Sequence, residues 1–400
     1  MRIFLIILSS ILILIGIYVS WEFFRILGEH FNYDGSGELK MDATGQTGDF
    51  IGGIVGTIFS LAGFFILIVT LQVQAKSSYI EQFESKFFEL IKLHRDNVAE
   101  IHINRQMIIK EKLVGIEYIG RKSFKIIMDE FITCRNDLKP FFNSYTIDEI
   151  YEPDFKAETS QILLLINQQP DLRKHAKVNV AYCVMFFGVG FEGNLILRSL
   201  FKGKYKDPFI DQVIKYLQMK PIESSDYWGR WKSIKKFKRF DYRLEIVNKI
   251  LNARLNNGLI AKMKIQDLFY DSAYVKYYGG HQHRLGHYFR HLFQCVNYVN
   301  NQSRLSDKQK YFYVKTLRAQ LSTYEQALLF VNSISFLGMR WELNPSYQRS
   351  IFSFINTSRK RNNQLITKYN LIKNLPGEHI FGTRYRDYYP NVQYELDTMF

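Results

Sequence analysis

The sequence predicts a mostly α-helical protein, in which an N-terminal two-helix transmembrane hairpin is followed by a cytosolic all-α domain. Two stretches without charged residues, Ile3–Trp21 and Phe50–Ala75, predict the hairpin. Each is long enough to cross the bilayer core as a helix, which takes about 20 residues. The rest of the chain repeats apolar residues every three or four positions, which predicts helices. We therefore assign 1–76 to the hairpin, with spans of about 3–24 and 50–74, and 77–400 to the cytosolic domain.

The residues that flank the two spans predict the topology. Basic residues follow the second span, beginning with Lys76 and Lys86, whereas the connecting loop 28–49 is acidic and glycine-rich. The positive-inside rule then places both termini in the cytoplasm and the loop outside a bacterial inner membrane. The first span is expected to be an uncleaved anchor, because its apolar run exceeds the ~7–15 residues of a signal peptide and bulky residues follow it.

Small residues in the second span predict close helix packing. Gly52, Gly56 and Ser60 recur every four residues and share one helix face. In lipid, such residues allow two helix backbones to approach closely. Two partners stay open: the first span of the same chain, or the same helix of a second copy in a homo-oligomer. Neither span carries a charge, which argues against a proton relay or a charged transport site.

The charge of the chain is uneven. The net charge is +15, although residues 1–75 contain more acidic than basic residues, so the excess lies in the C-terminal part. This balance fits contact with nucleic acid or anionic lipid, or equally a biased base composition. The sharpest basic run, 232–240, has interleaved aromatic residues that suit single-stranded nucleic acid or a membrane surface. We favour the simpler interpretation of a solvated helix face.

Signatures of known cofactor sites are missing from the sequence. Cys134, Cys183 and Cys295 are scattered and form no CxxC pair, so neither a disulfide framework nor a cysteine metal site is expected. The chain has no Walker motif, dinucleotide motif or GxSxG elbow, and no cofactor is predicted. The glycine-rich segment 186–194 is interpreted as a helix end or turn. Helices are predicted at 80–101, 241–257, 281–300, 308–336 and 345–373.

Five segments together resemble a known family. They are 48–74, FFELIKLHRDNV (87–98), GRKSF (120–124), GHYFRHLFQCVNYV (286–299) and LRAQLSTYEQALLFVN (317–332). In this order they resemble the AbiC-like phage abortive-infection proteins and extend to about residue 336. The resemblance implies bacterial anti-phage defence by a membrane-anchored protein whose activation harms the infected cell. It supplies no catalytic residues.

A polar cluster is predicted between the helices 281–300 and 308–336. If the two helices pack antiparallel about position 306, His287 lies near Glu325, His291 near Ser322, and Gln294 near Arg318. The candidate site residues are therefore His287, Arg290, His291, Arg318 and Glu325.

Several interpretations of this cluster compete. The favoured one is structural, since buried charges must be paired. The spacing of Arg284 and His291 also resembles the loose Arg/His pattern of helical HEPN ribonucleases, in which His acts as acid or base and Arg steadies phosphate. His283, His287 and His291 have metal-ligand spacing, but no acidic residue accompanies them, and no metal is predicted. The last interpretation is that Arg290 binds a nucleotide or another polyanion.

The leading functional hypothesis is a non-enzymatic membrane effector of abortive infection. Its cytosolic domain is expected to sense a phage-derived or defence-system trigger, and its hairpin to disturb the inner membrane. The alternatives are a membrane-tethered ribonuclease that uses Arg284 and His291, and a passive anchor that recruits a partner. Expected partners are the lipid bilayer, a second copy of the chain and the trigger, with nucleic acid as a further alternative.

Overall fold

A computed structural model describes residues 2–30, 41–109, 112–166, 171–225, 228–236, 275–342, 364–380 and 382–395. The described residues are mostly helical, which confirms the predicted fold class at this level. The chain divides into two compact units, Met1–Glu89 and Leu90–Phe400. The predicted helix 241–257, residues 31–40 of the predicted outer loop and most of the predicted helix 345–373 lie outside the described residues.

The first unit is built from long helices. They are α1 (Arg2–His30), α2 (Met41–Phe50), a π-helical turn (Ile51–Val55) and the first part of α3 (Gly56–Ala99). Helical structure at the second predicted span thus begins at Met41, earlier than the predicted start at about residue 50. The π turn contains Gly52 and Gly53. Glycine has a low preference for the regular α-helix, so the pair favours an irregular turn at this point.

Contacts within the first unit join α1 to the helices that follow it. The Arg2 guanidinium donates to the Gln72 carbonyl oxygen at 2.6 Å. At the other end of α1, the rings of Phe23 and Phe50 stack with centroids 4.1 Å apart. The beginning of α1 therefore contacts α3, and its last turns contact α2.

Two helices are long and apolar enough to cross a membrane. They are Arg2–Ile26 and Gly45–Ala99, and only 11% of the most apolar window of each is buried within the protein. A core helix of a soluble protein is buried on at least one face. The large side chains here are instead exposed, including Leu14 at 66% and Phe64 at 56%.

The second unit begins within α3 and contains shorter elements. Its helices are α4 (Arg121–Ser144), α5 (Ile147–Ile150), α6 (Pro153–Ile166), α7 (Leu172–Phe187), α8 (Phe191–Phe201), α9 (Asp207–Gln218), α10 (Trp228–Lys236), α11 (Gln282–Asn300), α12 (Asp307–Arg318), α13 (Thr323–Ile334) and α14 (Leu365–Tyr369). Its strands are β1 (His102–Ile109), β2 (Lys112–Ile119), β3 (His379–Ile380) and β4 (Thr383–Arg384).

The core of the second unit forms around α7, which contacts α4 and α13. Residues 178–185 of α7 are all buried, because this stretch is apolar on every side apart from Asn179. A helix that is apolar all round is stable only when other elements cover it. The buried amide of Asn179 donates to the Tyr205 hydroxyl at 3.1 Å, so this polar group is paired.

The all-α description of the second unit is wrong in one respect. β1 and β2 form an antiparallel hairpin in which His102 pairs with Ile119 and Ile109 with Lys112, and β3 pairs with β4. Helical periodicity predicts no strand at 115–120. The β-branched and aromatic residues around it favour a strand, which a search for helical periodicity overlooks.

The predicted helix 308–336 is also divided in the structure. α12 ends at Arg318 and α13 begins at Thr323, with Ser322 as its N-cap. Ser322 and Glu325 form a capping box, in which the Ser322 hydroxyl accepts from the Glu325 amide while the Glu325 carboxylate accepts from the Ser322 amide. This local signal starts a new helix inside an otherwise continuous helical pattern.

Candidate functional site

The exposed face of α11 carries two of the predicted site residues. His287 and Arg290 are exposed, as are His283 and Gln294, and together they form one polar stripe along the helix. The opposite face is buried through Leu285, Tyr288, Phe289, Leu292, Cys295, Val296 and Val299. The sequence therefore located the polar and apolar faces of this helix correctly.

Arg284 and His291 are held by different backbone carbonyls. The Arg284 Nε donates to the His102 carbonyl oxygen at 2.9 Å, and its guanidinium lies 3.4 Å from His281 Nδ1. The His291 Nε2 lies 3.0 Å from the Leu90 carbonyl oxygen. The two side chains proposed for a ribonuclease thus have no partner in common among the described residues.

Arg318 contacts a different part of the chain from the one predicted. Its side chain is buried and donates to the carbonyl oxygens of Tyr369 and Asn370, at 3.1 and 2.9 Å. These two residues lie at the end of α14. Because α12 ends at Arg318, this side chain does not continue the polar stripe of α13. It caps the end of another helix instead, where a cation is electrostatically favourable.

Glu325 is fully buried and has several partners. Besides the capping box with Ser322, its carboxylate accepts from the Tyr288 hydroxyl at 3.2 Å. Arg121 Nε lies 3.8 Å from the other carboxylate oxygen, and Arg121 also donates to the Gln320 carbonyl oxygen. A buried carboxylate with such partners fixes the position of its helix. The residue of α11 that reaches Glu325 is Tyr288 rather than the predicted His287.

The predicted site residues therefore occupy separate surroundings. His287 and Arg290 face solvent, His291 bonds to α3, Arg318 bonds to α14, and Glu325 lies under Tyr288. The break between α12 and α13 is the physical reason, because it ends the single helix on which the predicted pairing depended.

His94 is a buried neighbour of His291 that the sequence analysis did not select. The side chain is 1% exposed, and neither ring nitrogen has a hydrogen-bond partner among the described residues. Its ring centroid lies 5.3 Å from that of Tyr288. Burial, with smaller effects from the nearby His291 and Arg121, lowers the pKa of His94 to about 4, so His94 is neutral at physiological pH.

These residues bring the family-like segments of the second unit together. His94 comes from 87–98, Arg121 from 120–124, Tyr288 and His291 from 286–299, and Glu325 from 317–332. We call these five residues the His94–Glu325 cluster. With two fully buried members and a neutral imidazole, the cluster is suited to holding four distant segments in register rather than to chemistry on a substrate.

Metal ligation finds no support in the part of the chain that the structure describes. No group of three or more His, Cys, Asp or Glu side chains in it is placed to hold a metal ion. His283 and His287 are exposed, whereas His291 is half-buried and directed to a carbonyl oxygen.

A second buried network lies elsewhere in the same unit. Lys220 Nζ donates to Asp137 Oδ2 at 2.8 Å, and the Tyr278 hydroxyl donates to the same oxygen at 2.7 Å. Lys235 pairs with the other oxygen of Asp137. Burial alone raises the pKa of Asp137, but the two lysines outweigh it and the net pKa is lowered, so the carboxylate is ionised.

Glycines near this network allow two backbone segments to touch. Gly188 ends α7 with φ +75°, and a Cβ on it would lie 2.6 Å from the carbonyl carbon of Gly279. Gly280, with φ +86°, meets the Phe187 backbone in the same way. Gly190 is the N-cap of α8. The glycine-rich segment is thus a helix end and a turn, as predicted.

The glycines of the predicted membrane-packing face have no side chain of α1 where a Cβ would lie. A Cβ on Gly52 would meet nothing within 4 Å, and one on Gly56 would meet only the Ile51 carbonyl of the same helix. Ser60 is exposed. The glycine at the contact between α1 and α3 is Gly16, where a Cβ would lie 3.0 Å from the Phe59 ring.

Fold and site together define a mostly helical protein with two apolar helices of membrane-spanning length. Residues 280–345 match the family model described as "Putative phage abortive infection protein" (putAbiC). The match covers α11, α12 and α13 and confirms the predicted AbiC-like family resemblance over this region. It also supports a role in phage defence. No curated protein and no solved structure matches the chain.

Proposed function

We propose that this protein is a membrane-anchored effector of abortive infection, which impairs the infected cell through the inner membrane. The observation that carries the proposal is the combination in one chain of the phage-defence match at 280–345 with two exposed apolar helices of spanning length. The first supports the biological role, and the second supports the place where the protein acts.

The exposure of the apolar helices supports a lipid environment. Full burial of one large apolar side chain is worth about 1.5–3 kcal/mol relative to exposure to water. α1 exposes Phe4 at 64% and Trp21 at 69%, among other large side chains. In water such a surface is an aggregation site, whereas in a bilayer the lipid tails cover it.

The contacts in the first unit support a transmembrane hairpin. Arg2 reaches Gln72, and Phe23 stacks on Phe50, so residues late in α1 pair with residues early in the following helix. This order is that of two antiparallel helices. In the topology we propose, both termini are cytoplasmic, because basic residues follow the second span.

The small-residue face of the second span is our proposed site of assembly. A Cβ added at Gly52 or Gly56 would meet no side chain of α1, and Ser60 is exposed. The observation favours the second of the two partners left open by the sequence, the same helix of another copy. A single hairpin encloses no pore, so disturbance of the membrane through this face requires several copies.

The exposed polar stripe of α11 is our proposed contact with the trigger. It lies inside the matched region, and His287 and Arg290 project into solvent. No observation favours the ribonuclease alternative, since Arg284 and His291 bind separate carbonyl oxygens. The experiment below tests the ribonuclease alternative separately, through His291→Ala.

The proposal is tested by phage challenge of cells that produce the full chain. Gly56→Leu with Ser60→Leu is expected to abolish protection while the protein stays in the membrane fraction. The matched control, Gly56→Ala with Ser60→Ala, keeps the face small and is expected to protect. If the leucine variant protects fully while His291→Ala abolishes protection, the membrane-effector proposal is wrong. If cells with the unaltered chain show no protection, the phage-defence role itself is contradicted.

A further inference from the structure

Two stacked aromatic rings in the second unit lie among several cations. We propose that Trp228 and Tyr277, with Arg105, Lys220 and Lys232 around them, form a binding site for single-stranded nucleic acid. We call these five residues the Trp228–Tyr277 platform. The proposal is independent of the membrane function proposed above.

The aromatic pair has a geometry that suits base stacking. The two rings are nearly parallel, with 9° between their planes and centroids 6.2 Å apart. Both side chains are half-buried, so part of each remains accessible to a ligand. Single-stranded nucleic acids bind to such rings because every base has a π-face to stack.

Cations lie against the faces of both rings. Lys220 Nζ is 3.7 Å from the Tyr277 centroid, and the Arg105 guanidinium carbon is 5.5 Å from it. Lys232 Nζ lies 5.8 Å from the Trp228 ring. A nucleotide presents a base and a phosphate together, and the platform offers a partner for each.

Among the residues that the structure describes, cations outnumber carboxylates around the platform. Arg105 pairs with Glu223 at 3.2 Å, but Lys220 and Lys235 share the single carboxylate of Asp137. Lys232 is exposed and contacts no carboxylate within the described residues. Glu130 also lies near Arg105. The cations of this region still outnumber its carboxylates among the described residues, and the excess attracts a further anion. Phosphate groups of a nucleic acid supply that anion.

Hydrogen bonds hold the platform in place before any ligand binds. Arg105 donates to the Tyr277 hydroxyl at 2.6 Å, which links β1 to the segment that precedes α11. Lys220 is fixed by Asp137 and by the Tyr278 hydroxyl. Such preorganisation reduces the entropy cost of binding.

A membrane surface fits the platform less well. A helix that lies on a membrane inserts an exposed apolar face between the lipids. On α10, Trp231 is 3% exposed and Trp228 is half-buried, so these large apolar rings are not free to insert. The described exposed side chains of α10 include Lys232 and Lys235, which favour a polyanion.

Fluorescence anisotropy of labelled oligouridylate and oligothymidylate with the detergent-solubilised full chain tests the proposal. We expect binding that weakens as salt rises, by a slope of about 0.7 per phosphate neutralised on a single strand. Lys232→Glu and Trp228→Leu are each expected to weaken binding about tenfold or more, and Lys232→Arg to retain it. The matched control is Lys308→Glu, a charge reversal at another exposed lysine, which is expected to bind like the unaltered chain.

Competition experiments separate the possible ligands. Polyphosphate carries charge without bases, so equal competition by polyphosphate would overturn the proposal. Equal affinity for uridine monophosphate and oligouridylate would also overturn the proposal, since a site that binds a strand has a higher affinity for several linked nucleotides than for one. Binding to anionic vesicles but not to either oligonucleotide would show a membrane surface instead. Lys232→Glu is a surface change, and an unchanged thermal unfolding curve confirms that any lost binding is local.

Discussion

The imidazole ring of His94 lies nearly parallel to that of His291, with centroids 6.3 Å apart and 12° between the planes. The two residues are far apart in the sequence, and His291 lies in the region 280–345 that matches the family model. Through this contact, with Tyr288 and Glu325 beside it, segments that are distant in the sequence meet in one cluster.

The buried His94 is expected to make the protein sensitive to acid. The pKa of His94 is about 4 in the folded state and about 6.5 when unfolded, so the unfolded state binds more protons between these values. Stability is therefore full above pH 6.5 and falls as the pH drops toward 4, by at most about 3 kcal/mol. Thermal unfolding of His94→Phe across this range should show a smaller loss. His175→Phe is the matched comparison, since burial also lowers the pKa of His175 to about 4. An unchanged pH dependence in His94→Phe contradicts the prediction.

Glu342 is expected to make the protein less stable as the pH rises, the opposite of the effect of His94. Its carboxylate accepts from the Ile366 amide at 3.2 Å, and burial raises its pKa from 4.5 to about 7. The folded state then binds more protons between these values, so its contribution to stability falls as the pH rises from 4.5 to 7. In Glu342→Gln the side chain no longer ionises, and the difference in melting temperature from the unaltered protein should vary with pH across this window. A constant difference would show that the carboxyl group does not titrate there.

The crossing of Gly188 and Gly279 is expected to tolerate no side chain. Gly188→Ala combines a positive φ with a contact of 2.6 Å to backbone, and should lower the free energy of unfolding by about 3 kcal/mol or more. Gly190→Ala, where a Cβ meets nothing within 4 Å, should cost less than about 1 kcal/mol. Chemical denaturation of the two variants measures the contrast, and equal costs would argue against the close approach.

The buried pair of Asp137 and Lys220 is expected to be costly to break. Asp137→Asn leaves the Lys220 ammonium, whose side chain is 2% exposed, without a full negative charge beside it. Removal of one partner of a buried ion pair costs about 3–5 kcal/mol. Asp211→Asn, which breaks the exposed ion pairs with Arg198 and Lys215, should cost at most about 1 kcal/mol. Denaturant titration distinguishes the two, and a small loss in Asp137→Asn would mean that solvent or deprotonation of Lys220 compensates for the lost charge.

The sequence predicted the features that depend on local pattern. The apolar helices, the two faces of α11 and the helix end at Gly188 follow from periodicity and residue type. The β1–β2 hairpin was missed because a search for helical periodicity does not detect strands. The predicted pairing of α11 with the next helix depended on an unbroken helix 308–336, and the capping box at Ser322 breaks it.

Contacts between distant segments could not be predicted from one sequence. Nothing around His94 indicates that its ring faces His291, because that contact depends on how α3 and α11 pack. The same holds for Arg105, whose partners Glu223 and Tyr277 come from two later segments. Charge and periodicity identify the face on which a residue lies, whereas only the packed structure identifies its partner.

Membrane potential and RNA integrity, followed together in infected cells, test the central claim most directly. In cells that produce the full chain, we expect a voltage-sensitive dye to report loss of potential before lysis while cellular RNA stays intact. Gly56→Leu with Ser60→Leu should prevent the loss of potential. RNA decay with the potential maintained, abolished by His291→Ala, would contradict the account and favour the ribonuclease alternative.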